Sequence, residues 1–322
     1  VKRVVLINII LALLIIVASI FGYFYFIKRD LSDILQNYLP DLNNPSAVFV
    51  GALSGENPED EITPSGLTIT SDGKMFISDY GKYRVVIWDL NGRSLGEFGS
   101  YGDKPGQFKF PYGIISFKGQ VYVADPVNGR ISVFTPDGGL VKIISSPEPN
   151  KLYGFAALAA DGDRIYATDV VNHQVVVLDA AGKVVEKFGQ KGTKPGELYY
   201  PNGIAVRDKR IYVADSNNNR IEIFTDDGVY QENWLGTDKE GSQALSHPRG
   251  MFFDQSGKLL VVNMMASKVT RLNKSGVVDY HWGKQGSGDY EFFMPLSLTS
   301  DISGKIYIGD NLNHRISIFK IE

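Results

Sequence analysis

Two kinds of hydrophobic pattern divide the chain. From Val4 to Ile27 apolar residues run without a charge, interrupted only by Asn8, Ser19, Tyr23 and Tyr25. Beyond residue 45 the apolar positions come in short alternating runs, such as GIAV, IYVAD and RIEIF between Gly203 and Phe224. Alternation with period two puts one face of an extended chain against a core and predicts β-strands. Turn dipeptides separate the runs: SDG at Ser71, NG at Asn91, DG at Asp137, AG at Ala181, DDG at Asp226 and SG at Ser275. Such turns join antiparallel strands into hairpins.

The runs recur in phase. FISDYGKYRVVIWD, YVADPVNGRISVF, YATDVVNHQVVVLD, YVADSNNNRIEIF, LVVNMMASKVTRLN and YIGDNLNHRISIF align on Asp79, Asp125, Asp169, Asp215, Asn263 and Asp310, in steps of 46, 44, 46, 48 and 47 residues. Five residues later stand Arg84, Arg130, Gln174, Arg220, Lys268 and Arg315. Upstream runs a Pro-x-Gly marker at Pro64, Pro111, Pro201 and Pro248, with LYG at Leu152 and PLS at Pro295 as degenerate copies. Four short strands per repeat of this length are the arithmetic of propeller blades. The expected fold is all-β, a six-bladed β-propeller over residues 46–322. The sixth copy ends after three strands, and SAVFVGAL at Ser46–Leu53 reads as a lone strand that closes the ring and covers an edge.

The uninterrupted run is long enough to cross a bilayer as a helix. Phe21, Tyr23, Phe24, Tyr25 and Phe26 form an interfacial belt, and Lys2 and Arg3 in front outweigh Lys28 and Arg29, which Asp30 and Asp33 offset. The expectation is one transmembrane signal-anchor helix with a cytoplasmic tip over residues 1–30, and a juxtamembrane stalk over 31–45 stopped by Pro40 and Pro45. The propeller is then expected on the extracytoplasmic side of the cell membrane. A run of 24 residues exceeds the roughly 7–15 of a cleaved signal peptide, so the anchor is expected to remain.

The Asp-x-x-Asn-x-Arg signature in VADSNNNRIEIF, GDNLNHRISIF and ADPVNGRISVF, with spacers such as GQFKFPYG and GELYYPNG, resembles the NHL repeat family. The resemblance spans residues 46–322 and implies the same propeller, of a membrane-anchored bacterial type. Gln174 and Asn263 depart from the pattern and put the pairing of blades three and five in doubt. Elsewhere Asp79 with Arg84, Asp125 with Arg130, Asp215 with Arg220 and Asp310 with Arg315 read as structural pairs across a hairpin.

Function is expected where the copies differ. The position after the Pro site reads Ser65, Tyr112, Tyr153, Asn202, Arg249 and Leu296; the position after the Asp site reads Tyr80, Pro126, Val170, Ser216, Met264 and Asn311. Both series are expected on one face around the channel mouth. Tyr80, Tyr112, Tyr153, Asn202, Arg249 and Met264 are the candidate binding residues, since Tyr and Arg favour binding hot spots. Their mixture of aromatic, amide and cationic groups suits a protein, a peptide or a small ligand.

Composition narrows this further. Cysteine is absent, which removes disulfides and thiolate metal sites, and 34 glycines fit repeated turns. The net charge is −3; the first 45 residues hold four basic and three acidic side chains, so the remainder carries −4. No concentration of Lys and Arg points to nucleic acid. Some NHL-type propellers, the peptidyl-hydroxyglycine lyases, hold zinc with channel histidines, and TDVVNHQVVVLD resembles such a stretch, which makes His173 a weak ligand candidate. The other family ligand positions here carry no His, and a catalytic zinc needs three protein ligands. A lactonase-like metal site would need a set such as Asp79, Asn202 and Asn263. The expectation is therefore a monomeric propeller that binds an extracytoplasmic protein or peptide, such as part of a neighbouring membrane complex, without a cofactor. An anchored Zn or Ca enzyme of the lyase or lactonase type is the alternative.

Overall fold

The computed structural model describes residues 47–55, 60–146 and 152–321. The expected membrane helix, the stalk and Ser46 lie outside the described residues. Among the described residues no helix is long and apolar enough to cross a membrane.

The alternating runs form six four-stranded antiparallel sheets, the blades of one ring. Blade four is representative: Pro201–Arg207, Arg210–Asp215, Arg220–Thr225 and Tyr230–Trp234 pair in sequence order. Asp215 stands opposite both Pro201 and Arg220, so the marker and the Asp–Arg hairpin share one end of the blade. Period two is legible in what each side chain meets. Ile211 and Val213 pack with Val175 and Val177 of blade three, while Tyr212 and Ala214 pack with Met251 and Val261 of blade five. Every blade buries both faces in this way, and six interblade cores result.

The ring closes through a strand from the front of the described chain. Ala47–Leu53 pairs antiparallel with Arg315–Ile321 and becomes the outer strand of blade six, from Ala47 opposite Ile321 to Leu53 opposite Ile316. A bulge at Phe49–Gly51 re-aims the strand.

The glycine of the Pro-x-Gly marker has a steric origin. A Cβ on Gly66 would stand 2.1 Å from the Tyr112 carbonyl oxygen, and one on Gly203 would stand 1.9 Å from that of Arg249. The innermost strands of adjacent blades touch backbone to backbone there. Blade three shifts the frame read from the sequence. Phe155, not Leu152, stands opposite Asp169, as Pro201 stands opposite Asp215. Gly113 donates its N–H to the Ala156 carbonyl at 3.1 Å, and its Cβ would meet that oxygen at 2.1 Å. The marker of blade three is therefore Phe155-Ala156-Ala157, and Ala156 rather than Tyr153 takes the channel position. Gly203→Ala is expected to destabilise by ~1–3 kcal/mol, because the opposing atom is backbone and cannot turn aside. Denaturant unfolding measures this, and an unchanged midpoint would show that the ring expands freely.

Candidate functional site

The repeated carboxylate organises one face. Asp79 Oδ1 accepts the Thr63 N–H at 3.0 Å, Asp125 those of Lys109 and Phe110 at 2.8 and 3.1 Å, Asp169 that of Gly154 at 2.8 Å, and Asp310 that of Phe293 at 2.7 Å. Each buried Asp thus ties down the backbone leading into its own blade. Asn263 does the same with its amide oxygen, accepting from Ser246 at 3.0 Å, which explains why the acid is dispensable there. Burial raises the carboxyls of Asp215 and Asp310. The opposing contributions at Asp215 are Tyr199 N–H, Asn218 and Arg220; at Asp310 they are Asn313, Phe293 N–H and Arg315.

The arginine reaches further than a hairpin pair. Arg220 donates Nε–H to Asp215 at 2.8 Å and its terminal nitrogens to the carbonyls of Thr193, Lys194 and Glu197. Arg315 repeats this with Asp310, Ser287, Gly288 and Glu291. Each guanidinium pins the spacer between blades to its hairpin. Arg84 bonds Asp79 at 3.0 Å and also Glu97. In blade two the expected Asp125–Arg130 bond does not form. Arg130 spends its terminal nitrogens on Asp103, Lys104 and Gln107 carbonyls, and its Nε has no partner. Gln174 substitutes a neutral amide donor, bonded to Asp169 at 2.9 Å.

His173 has a conformational explanation. The last residue of each connecting turn has positive φ: Tyr83, Gly129, His173, Asn219, Ser267 and His314 lie between 50° and 64°. Histidine and asparagine tolerate this left-handed region better than most residues. His173 Nδ1 accepts the Tyr200 N–H at 3.1 Å, and its ring packs edge-on against Tyr200. Burial, helped by Lys191, lowers its basicity. The ring is thus committed to its neighbours through Nδ1. Among the described residues no three His, Asp or Glu side chains are grouped to hold a metal ion, so the ligand set of a catalytic zinc does not fit here.

The channel itself is occupied. Tyr112, Ala156, Met264 and Leu296 form one buried cluster, with Phe110 and Val170 packed against it. These residues come from blades two, three, five and six, and blades two and five face each other across a six-membered ring. One continuous cluster drawn from blades two, three, five and six therefore spans the channel and plugs it. Three seams around the plug are sealed by donors: Ser65 Oγ to the Pro111 carbonyl at 2.7 Å, Ser216 Oγ to that of Pro248 at 2.6 Å, and Asn311 Nδ2 to that of Pro64 at 2.9 Å.

Of the six candidate binding residues, the structure brings four together. Arg249 Nη1 lies 3.5 Å from the Tyr112 hydroxyl, with Met264 in the same plug. Tyr80 joins through Phe110, 5.0 Å away, which stacks at 5.8 Å on Tyr112. Tyr153 is not among them: it is fully buried in the core between blades two and three, its ring against Phe155. Asn202 folds back onto the Tyr200 carbonyl at 2.7 Å. Around these residues, the loops of the same face expose Val127, Leu152, Val171, Tyr200, Met265 and Phe293, with Met265 64% exposed. The sequence reading missed Phe110, Ala156 and this outer apolar annulus; the two-residue offset from the repeated Asp or Asn position shared by Val127, Val171 and Met265 is the signal that carries it.

A family profile described as the NHL repeat matches residues 198–224, the blade-four marker, hairpin and following strand. Protein brain tumor of Drosophila melanogaster is 31% identical over 130 residues, covering 39% of this chain and 12% of that protein. The chain thus spans a small part of that relative's length. Among solved structures, a gluconolactonase from Xanthomonas campestris superposes with a TM-score of 0.64 at 15% identity, over 86% of this chain and all of that one. A streptogramin B lyase superposes with a TM-score of 0.61 at 15% identity, over 84% of this chain and 97% of the other. At such identities the two structures share the propeller fold alone.

Proposed function

We propose that this propeller with NHL repeats is a binding module whose channel-mouth face captures a segment of a protein partner, held near the extracytoplasmic membrane surface by the apolar run Val4–Ile27. The observation that supports it most is the annulus of exposed apolar side chains around a plugged channel. Protein surfaces that bury nothing seldom gather such side chains on one rigid face. The plug leaves a floor and a rim, which suits docking and gives no passage. The use proposed for it is sensing or assembly of a neighbouring membrane complex.

The test is recovery of a stoichiometric protein with the tagged chain from alkali-washed membranes. Val171→Asp with Met265→Asp is expected to abolish that recovery while shifting stability by no more than ~0.5 kcal/mol, since both side chains are exposed. Retention of the same partner by the double variant refutes this face as the site. An enzyme of the lyase or lactonase type would instead contain stoichiometric zinc or calcium after purification. For the zinc form, the described residues group no three His, Asp or Glu side chains.

A further inference from the structure

Arg249 stands apart among the arginines at the channel mouth. Arg84, Arg220 and Arg315 are bound to carboxylates, and Arg130 is spent on three backbone carbonyls. Arg249 makes no ion pair among the described residues. Its bond to Tyr112 is long, and its Nε is buried without a partner. A buried donor left unsatisfied is costly in a native structure and calls for a partner. The neighbouring channel donors Ser65, Ser216 and Asn311 are already committed to carbonyls, and the repeated Asp side chains to backbone N–H groups. Among the described residues, no carboxylate pairs with this guanidinium.

We propose that Arg249 is the anchor for a carboxylate carried by the captured polypeptide segment, with the Tyr80–Phe110–Tyr112 aromatic row beside it taking an apolar side chain of that segment. This rests on the binding reading above and names its chemistry. A guanidinium fork matches a planar carboxylate in two-point geometry, and the Tyr112 hydroxyl already orients one edge of the fork. A single cation beside aromatic rings favours a monoanion over a polyphosphate, which takes a cluster of basic groups. The surrounding exposed Val171, Tyr200 and Met265 favour a polypeptide over a small free acid.

Three dipeptide probes test this against the purified full-length chain by titration calorimetry: N-acetyl-Leu-Phe with a free carboxylate, its C-terminal amide, and N-acetyl-Glu-Phe amide. The free acid is expected to bind about tenfold or more tighter than the amide, as a charge-assisted bond implies. Preference for the first probe assigns a chain terminus, and preference for the third assigns a side-chain carboxylate. Arg249→Gln is expected to erase the discrimination, and Arg249→Lys to keep part of it. Thermal melts of both variants confirm folding. Binding of neither carboxylate probe above the Leu-Phe amide, discrimination that survives Arg249→Gln, or no binding of any probe at millimolar concentration overturns the carboxylate anchor. The aspartate pair at Val171 and Met265 separates the two readings: if it weakens acid and amide alike while they remain equal, the face binds but not through Arg249. If it changes nothing, the face itself is not the site.

Discussion

Deleting residues 47–53 is expected to open the ring and destabilise the propeller by roughly 5 kcal/mol or more, from lost ladder hydrogen bonds and apolar burial together. The strand pairs with blade six over most of its length, and Ala47 is buried in the core between blades five and six. Phe49 adds more than its ladder position: its ring meets Phe319 at 5.5 Å and its N–H donates to the Tyr290 hydroxyl at 3.1 Å. Leu53 packs on the core between blades six and one. Without this strand, Arg315–Ile321 becomes an open edge, which templates pairing between molecules. With no cysteine in the chain, no disulfide can substitute for it. The expected observation is a lower melting temperature together with dimers or aggregates by light scattering. A deletion variant that stays monomeric and melts unchanged refutes closure by this strand.

The blades were legible in the sequence because a hairpin is a local object. Alternation, a turn dipeptide and a fixed Asp-to-Arg offset all lie within about 15 residues. The site was less legible because it depends on where blades meet. Tyr153 illustrates this. LYG looks like a worn Pro-x-Gly, yet the backbone frame is set by which residue faces Asp169, and that is Phe155. Three residues of slippage exchange a core tyrosine for a channel alanine. The role of the Asp was likewise half visible. Its offset to Arg suggested an ion pair, whereas its recurrent partner is an N–H some 15–17 residues upstream, across a spacer of variable length. Blade two shows the consequence: Asp125 keeps its N–H partners while Arg130 lets it go. His173 resembles a metal ligand by motif, but its backbone angle and its bond from Tyr200 give it a structural task.

One acid was visible in the sequence and carried no assignment. The second residue after the Arg position reads Val86, Ser132, Val176, Glu222, Thr270 and Ser317, so blade four puts a carboxyl where the others keep small or apolar groups. Glu222 is fully buried. Its Oε1 stands 2.8 Å from Arg220 Nε, but that nitrogen gives its hydrogen to Asp215, so Oε1 has no donor. Its Oε2 receives only a long bond from Gly196 at 3.4 Å. Burial outweighs the attraction of Arg220 and pushes the Glu222 carboxyl up to about 7. The unfolded chain releases this proton near the ordinary glutamate value, about 4.3, while the folded chain keeps it until about 7. Between those limits the native state binds more protons than the unfolded state, so stability falls as pH rises, by ~3 kcal/mol across the window. The contribution is fully present below the lower limit and gone above the upper one. Glu222→Gln removes the titration. Its stability is expected to lose this slope, so that the variant gains on the parent by ~3 kcal/mol between pH 4 and pH 8. Denaturant midpoints across that range measure the difference, and parallel pH profiles for the two proteins would show that Glu222 is already ionised in the folded chain at low pH, with Arg220 shared between both carboxylates.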